Sequence, residues 1–297
     1  MKLQRRGDNW RIALLLFPGI LILLVFTLYP ILKMFIMSFF DWNIGLGQTS
    51  TFTALKNYKD VFLDPIAQRS LINTLYYALI TVPLQIVIGL FVAVLVYSIH
   101  RFSVSFRLLY YLPVITSWVV VALLFRNIFA NQGLLNYFLV NVLHVTQEPI
   151  GWLSTRWPAL TATTILGIWK GIGWNMVVFL AALQAVPVEY YEASSIDGLG
   201  KIGQFFKITL PCIKGTMLFA LVMLFIGAFN TFTPIQVITG GNPAHQTEVA
   251  LTWMYFQTFG TTGKLGYSAA MSFIIAVFVA VIAIILFRLL RPEEDNV

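Results

Sequence analysis

Apolar residues in this chain fall into six long blocks separated by polar stretches, at about 12–39, 71–98, 108–129, 158–186, 213–239 and 266–290. Each block meets the ~20 mostly apolar residues that a helix needs to cross the hydrocarbon core of a bilayer. Backbone N–H and C=O groups find no water there, so each block must close its own hydrogen bonds, which a helix does within one segment. The pattern predicts an all-α integral membrane protein with six transmembrane helices, one domain over residues 1–297. Two shorter stretches also carry a helical period. Leu134, Leu135, Phe138, Leu139 and Val142 would share one face of a short interfacial helix. Residues 249–259 are a second amphipathic stretch, and Gly240-Gly241-Asn242-Pro243 is a turn signal.

The polar island at 187–211 has its own internal order. Pro187 suits the first position of a helix, where its missing N–H would be unpaired anyway. Glu189 then sits in the first turn, where the helix dipole favours it. Gly198 and Gly200 can end this helix in a left-handed cap. A second short helix would follow, with Ile202, Phe205, Phe206 and Leu210 on one apolar face and Pro211 as its stop. Two such helices make an L. Glu192 and Asp197 could accept charge-assisted hydrogen bonds from a partner's Arg or Lys.

Composition sharpens this reading. Of 297 residues, 59% are hydrophobic and 10% charged, with mean hydropathy +0.82. Soluble domains carry ~25% charged residues. A net charge of +7 raises the question of nucleic acid. However, the basic residues stand at the ends of apolar blocks, which fits membrane topology and no nucleic acid. Cys212 is the single cysteine, so no intrachain disulfide or cysteine metal cluster is expected, and His144 and His245 lack metal-ligand spacing. No metal and no cofactor are expected. Lys2, Arg5, Arg6 and Arg11 before the first block resemble a secretory signal, but the block is too long for a signal core and no cleavage site follows. Eleven of the 19 Lys and Arg, including positions 2, 5, 6, 11, 101, 107 and 291, fall on the side of the termini and six on the other. The positive-inside rule then puts both termini in the cytoplasm.

Lys170 lies midway through the fourth block, where a charge costs ~2.5–3.5 kcal/mol on insertion scales and must face protein or water. Its neighbours Gly167, Gly171, Trp174 and Asn175 offer ring faces and an amide that suit a sugar. Asn230 and Thr231 give the fifth block a similar polar step. Structural roles are equally open. Gly167-x-x-x-Gly171 lets helices approach closely, Lys170 could hold a backbone carbonyl or an acid, and Asn230 and Thr231 could bridge helices with no ligand.

The run Tyr191-Glu192-Ala193-Ser194-Ser195-Ile196-Asp197-Gly198-Leu199-Gly200, with Ile208-Thr209-Leu210-Pro211 after it, resembles the EAA loop of bacterial ABC-importer permeases. Ser194 stands where that pattern has a second Ala. Asn73-Thr74, Arg107 to Pro113, Ala182 to Pro187 and Thr239-Gly240-Gly241-Asn242-Pro243 resemble the carbohydrate-uptake, maltose-type branch. The resemblance implies a type I permease fold in the bacterial cytoplasmic (inner) membrane. It implies a second homologous permease, two cytoplasmic ATPase subunits and an extracytoplasmic solute-binding protein as partners, with a sugar, oligosaccharide or glycosylated polyol as cargo. Glu192, Ala193, Ser194, Asp197, Gly198, Ile208, Leu210 and Pro211 would then couple to the ATPase. In the related permeases the spans corresponding to those of Lys170 and Asn230 line the sugar site. The chain lacks G-x-x-x-x-G-K-[ST], since Gly260 to Leu265 has the wrong spacing, so no ATPase activity of its own is expected. A glycerol phosphate importer is the alternative within the branch. A stand-alone channel or ion-coupled carrier would need membrane-embedded acids, and no block holds a central Asp or Glu.

Overall fold

The computed structural model describes residues 9–42, 49–99, 101–260 and 263–290. Of the residues in the charge and motif arguments, Lys2, Arg5, Arg6, Thr261, Thr262 and Arg291 lie outside the described residues, as does the side chain of Arg11. The described residues group into two compact units, one of those up to Asp64 with Met254–Ile274, the other of Pro65–Trp253 with those from Ile275 on. Among the described residues, five helices are long and apolar enough to cross a bilayer, or six if one bent pair counts as a span.

The first span is α1 (Asn9–Leu23), a π-turn at Leu24–Leu28, and α2 (Tyr29–Met37). Pro30 explains the wide turn. It has no N–H for the helical ladder and its ring crowds the carbonyl a turn earlier, so the backbone widens just before it. A two-residue antiparallel pair, β1 (Phe40–Asp41) and β2 (Thr51–Phe52), leads to α3 (Lys56–Leu63).

The second span, α4 (Pro65–Ser98), starts earlier than the apolar block. At 1.5 Å per residue it is ~50 Å long, so its polar first turns extend beyond a ~30 Å hydrocarbon core. The third block is not one straight helix as expected but α5 (Ser103–Ile115) and α6 (Trp118–Ile128), at 90° to each other. Thr116 and Ser117 between them are extended, and Thr116 Oγ1 donates to Pro113 O at 2.6 Å. The hydroxyl offers the backbone a local alternative to the helix, and Pro113 has already removed one rung. The interfacial helix predicted near 133–143 is α7 (Leu134–Tyr137), continued by a π-turn to Val142. The fourth span is α8 (Arg156–Gln184).

The polar island holds α9 (Val188–Ile196), α10 (Lys201–Gln204), a π-turn at Phe205–Thr209, and α11 (Leu210–Cys212). Pro211 therefore does not stop the second helix. The π-turn absorbs the missing N–H, as it does before Pro30, and the chain continues across Ile213 into α12 (Lys214–Phe229). The fifth span also breaks, with Asn230 to Phe232 separating α12 from α13 (Thr233–Ile238), where Pro234 restarts the helix.

The 249–259 stretch is α14 (Ala250–Phe259), and the last span is α15 (Leu265–Leu290). In the first unit, Asn57 Nδ2 donates to Ser38 O and Phe40 O, both at 2.9 Å. There the Tyr267 hydroxyl donates to Asp64 Oδ2 at 2.6 Å, and Phe35 packs edge-on against Phe273. In the second unit, α4 and α8 are close neighbours. A Cβ on Gly167 would strike the Tyr77 hydroxyl, and one on Gly171 would strike the Gln85 amide. The glycine pair thus makes room for α4 side chains on the face of α8, and at Gly89 the backbones themselves come together, where a Cβ would strike Asn175 Cβ.

Candidate functional site

Both helix breaks open onto one cavity of about 420 Å³ in the second unit. That volume falls among the ~300–1,000 Å³ of small-ligand sites. Tyr77, Thr81 and Gln85 come from α4, Val114 and Trp118 from the α5–α6 bend, and Gly167, Lys170, Gly171 and Trp174 from α8. Asn230 and Thr231, with their neighbours, complete the wall. Of the residues singled out from sequence, Asn175 alone stays outside the cavity. It is buried behind the wall, where its Nδ2 donates to Gly171 O at 2.9 Å.

Lys170 is 4% exposed. Its ammonium donates to Pro113 O at 2.6 Å, Thr116 O at 2.7 Å and Val114 O at 3.3 Å, and lies 4.8 Å from the centre of the Trp118 ring. These carbonyls lose their helical partners where α5 ends. A cation suits the C-terminal end of a helix dipole, and an ammonium has three N–H groups for three acceptors. Lys170 thus lines the cavity while its charge serves the bend.

Sequence reasoning missed the α4 wall. Its signal was legible: Asn73, Tyr77, Thr81 and Gln85 recur every fourth residue, a polar stripe on one face of a membrane helix. Gln85 Nε2 donates to Gly167 O at 3.0 Å, and Tyr77 is hydrogen-bonded to Thr231. The stripe ends in a latch. Asn73 Nδ2 donates to Glu248 O at 2.6 Å and Gln246 O at 2.9 Å. Its Oδ1 accepts from Arg156 Nη2 at 2.8 Å and Nε at 3.0 Å, and Ala250 N donates to Thr74 Oγ1 at 2.9 Å. The Asn73-Thr74 motif thus clasps the end of the loop that begins with Thr239 to Pro243.

The island at 187–211 forms a tight elbow. Gly198 has φ +78°, a left-handed conformation that side chains disfavour. Leu199 N bonds to Ser194 O and Gly198 N to Ser195 O, the paired pattern that closes a helix C-terminus around such a glycine. Gln204 Nε2 lies 2.9 Å from Ser195 Oγ, 3.0 Å from Ser194 Oγ and 3.1 Å from Tyr191 O. The Tyr191 and Thr209 hydroxyls meet at 3.0 Å. Ser194 is buried in this clasp, whereas Glu192, Ala193, Asp197 and Gly198 are exposed. Ile208 and Leu210 are half-buried, and Pro211 is exposed. Half of the apolar face expected on the second helix is left uncovered by this chain: Ile202 is 78% and Phe206 63% exposed, beside Ile196 at 87%, whereas Phe205 and Leu210 are half-buried. Nothing in the sequence marked Gln204, whose role depends on the bend that brings it back to α9.

Residues 65–292 match the family model described as binding-protein-dependent transport system inner membrane component. The probable ABC transporter permease protein YurN of Bacillus subtilis (strain 168) is 32% identical over 293 residues, covering 98% of this chain and 99% of YurN. The lactose transport system permease protein LacF of Rhizobium radiobacter is 32% identical over 280 residues, 93% of each chain. A chain from the crystal structure of a bacterial alginate ABC transporter, in complex with a periplasmic protein carrying an alginate pentasaccharide, superposes with TM-score 0.82. It is 21% identical and covers 97% of this chain and 96% of its own.

Proposed function

This chain belongs to the family of binding-protein-dependent transport system inner membrane components, and from that premise we propose how it works as an ABC-importer permease of the carbohydrate-uptake branch. Its cargo is a sugar, an oligosaccharide or a glycosylated polyol. The cavity walled by Gly167, Lys170, Gly171, Trp174, Asn230 and Thr231 is this chain's share of the path, and Asn175 braces that wall. A second homologous permease supplies the rest, and an extracytoplasmic binding protein delivers the solute. Both termini face the cytoplasm. Two ATPase subunits hydrolyse the ATP, since this chain has no phosphate-binding motif of its own.

One observation carries the coupling role: the exposed apolar residues Ile196, Ile202 and Phe206 on a braced elbow, flanked by the carboxylates of Glu192 and Asp197. An apolar cluster with charged edges at a membrane surface is what a docked partner covers. Ala193 keeps the exposed face of α9 slim, Ser194 and Gly198 set the bend, and Ile208, Leu210 and Pro211 join the elbow to α12. Alternating access follows. ATP closes the ATPase pair, the elbows move with it, and the cavity turns outward to receive solute. Hydrolysis then resets the inward-facing state.

Affinity purification of the tagged chain from its native membrane tests the assembly, and should recover an ATPase and a second permease. Glu192→Lys should abolish uptake while leaving the chain inserted. Solute movement by the purified chain alone, or a complete failure of elbow crosslinks to reach an ATPase, refutes the proposal.

A further inference from the structure

We propose that Arg69 and Arg156, at the head of the parallel helices α4 and α8, bind the phosphate of an anionic phospholipid whose acyl chains lie along the apolar faces of those two helices. The site lies apart from the cavity and does not depend on which solute the chain carries.

The two helices run side by side in the same direction, since Asn73 meets Arg156 near their starts and Gly89 meets Asn175 further along. Arg156 is the first residue of α8, the end of a helix where the dipole disfavours a cation. No acid stands in that first turn, and Thr155 makes no side-chain cap. Arg69 stands one turn before Asn73 on α4, close enough for its charge to act on Arg156. Two like charges and a helix N-terminus thus share one spot. Among the described residues no carboxylate pairs with either arginine. Glu248 Oε1 faces His245 Nδ1 at 2.9 Å instead, and Asp64, just ahead of α4, accepts from the Tyr267 hydroxyl.

The Arg156 guanidinium is oriented without being used up. Its Nε and Nη2 donate to Asn73 Oδ1, and its plane lies 4.4 Å from the centre of the Trp157 ring. Its Nη1 has no partner among the described residues, and Arg69 makes no hydrogen bond there either. A fixed guanidinium beside a second one suits the oxygens of a phosphate, which accept charge-assisted, paired hydrogen bonds.

The neighbouring surface points to a lipid as the source of that phosphate. Tyr76 lies between the two helices, its ring 5.1 Å from that of Trp157 and its hydroxyl 3.1 Å from Thr161 Oγ1. Further along the same faces, Leu79 on α4 and Ile165 on α8 are exposed. Trp and Tyr take such positions at the level of the headgroups. Arginines, then an aromatic pair, then bare aliphatic side chains follow the order of phosphate, glycerol ester and acyl chain in a phospholipid. A free anion would have no use for the apolar part. A zwitterionic headgroup adds a cation that the arginines repel, so the site favours a lipid with net negative charge. On the topology proposed above, that lipid belongs to the outer leaflet.

The test uses the full-length protein purified in mild detergent with its native partners. The probes are phosphatidylglycerol, phosphatidylcholine and glycerophosphoglycerol, which is the first headgroup without its chains. Native mass spectrometry should retain phosphatidylglycerol at a concentration about tenfold below that needed for phosphatidylcholine, and only phosphatidylglycerol should raise the thermal midpoint. Arg69→Gln breaks no bond within the chain and should weaken phosphatidylglycerol binding about tenfold. Arg126→Gln removes an equal charge from an exposed position in the last turn of α6 and should not. Equal retention of the two lipids overturns the proposal. An equal loss in both variants does so too, because the attraction is then diffuse. Glycerophosphoglycerol binding as well as the lipid overturns it in favour of a free phosphate ester. No lipid retained at all overturns it in favour of a partner subunit covering this face. None of these results bears on the importer reading.

Discussion

Replacing Lys170 by Met tests whether the ammonium holds the α5–α6 bend together. Met keeps the length of the side chain and removes the donors. Three bonds are lost, to the carbonyls of Pro113, Val114 and Thr116, together with the contact to the Trp118 ring. Polar contacts between membrane helices average ~0.6 kcal/mol and reach ~1.7 in double-mutant cycles, so three bonds amount to roughly 2–5 kcal/mol. Removing a buried charge returns part of that, because a mid-span Lys costs ~2.5–3.5 kcal/mol to insert. That return is small here, since the reference chain can reach the interface with a long flexible side chain. The net expectation is a loss of about 1–4 kcal/mol. Local opening should concentrate at the bend. The assay is hydrogen exchange of the purified assembled complex, read over residues 113–122, with the detergent-unfolding midpoint alongside. Lys170→Met should exchange faster there and unfold earlier, and Lys170→Arg, which keeps a cation, should fall between. A Met variant with wild-type protection and midpoint would show that the bend does not depend on the ammonium.

Three further outcomes follow from the geometry. Gly198→Val forces a β-branched residue into a left-handed backbone at φ +78°, a strain of ~1–2 kcal/mol, and should uncouple ATP hydrolysis from uptake without blocking insertion. The readout is ATPase activity and uptake measured on the same proteoliposomes. Gly171→Leu places a side chain against Gln85 and should cost ~1–3 kcal/mol, read as a lowered thermal midpoint, whereas Gly215→Leu, with nothing near its Cβ, should not lower the midpoint. Asn73→Ala removes four hydrogen bonds, worth roughly 2–4 kcal/mol, and should raise hydrogen exchange across residues 240–250 selectively.

The six apolar blocks were legible because lipid imposes one rule along each span. The breaks inside two of them were not, since the polar steps at Thr116-Ser117 and at Asn230-Thr231 are too short to divide an apolar block and fit an unbroken helix equally well. Pro113 and Pro234 were visible cues, but a proline inside a membrane helix is compatible with a straight, kinked or broken span, and neighbouring helices decide which. Lys170 drew attention as a charge out of place, yet its partners lie 54 to 57 residues away on a bend that hydropathy cannot report. The α4 stripe was readable by period and went unread, because hydroxyl and amide side chains hardly lower the mean hydropathy of the span. The elbow's left-handed glycine could be anticipated from sequence. The clasp by Gln204 could not, since it exists only after the chain has turned. Pro211 was misleading for a related reason: a π-turn lets a helix pass a proline that ordinary helical geometry would not.

The elbow is tied to a long membrane helix at each root by a link of one to three residues. On one side α8 rises directly from Ala185, and on the other α10 runs through the π-turn and Ile213 into α12. From Gln184 back to Lys170 is ~21 Å of helix, and from Lys214 forward to Asn230 is ~24 Å. The two stalks are near-equal in length and stand on the same footing, as the handles of tongs do. On the docking role proposed above, a push delivered at the base would arrive at two faces of the chamber together.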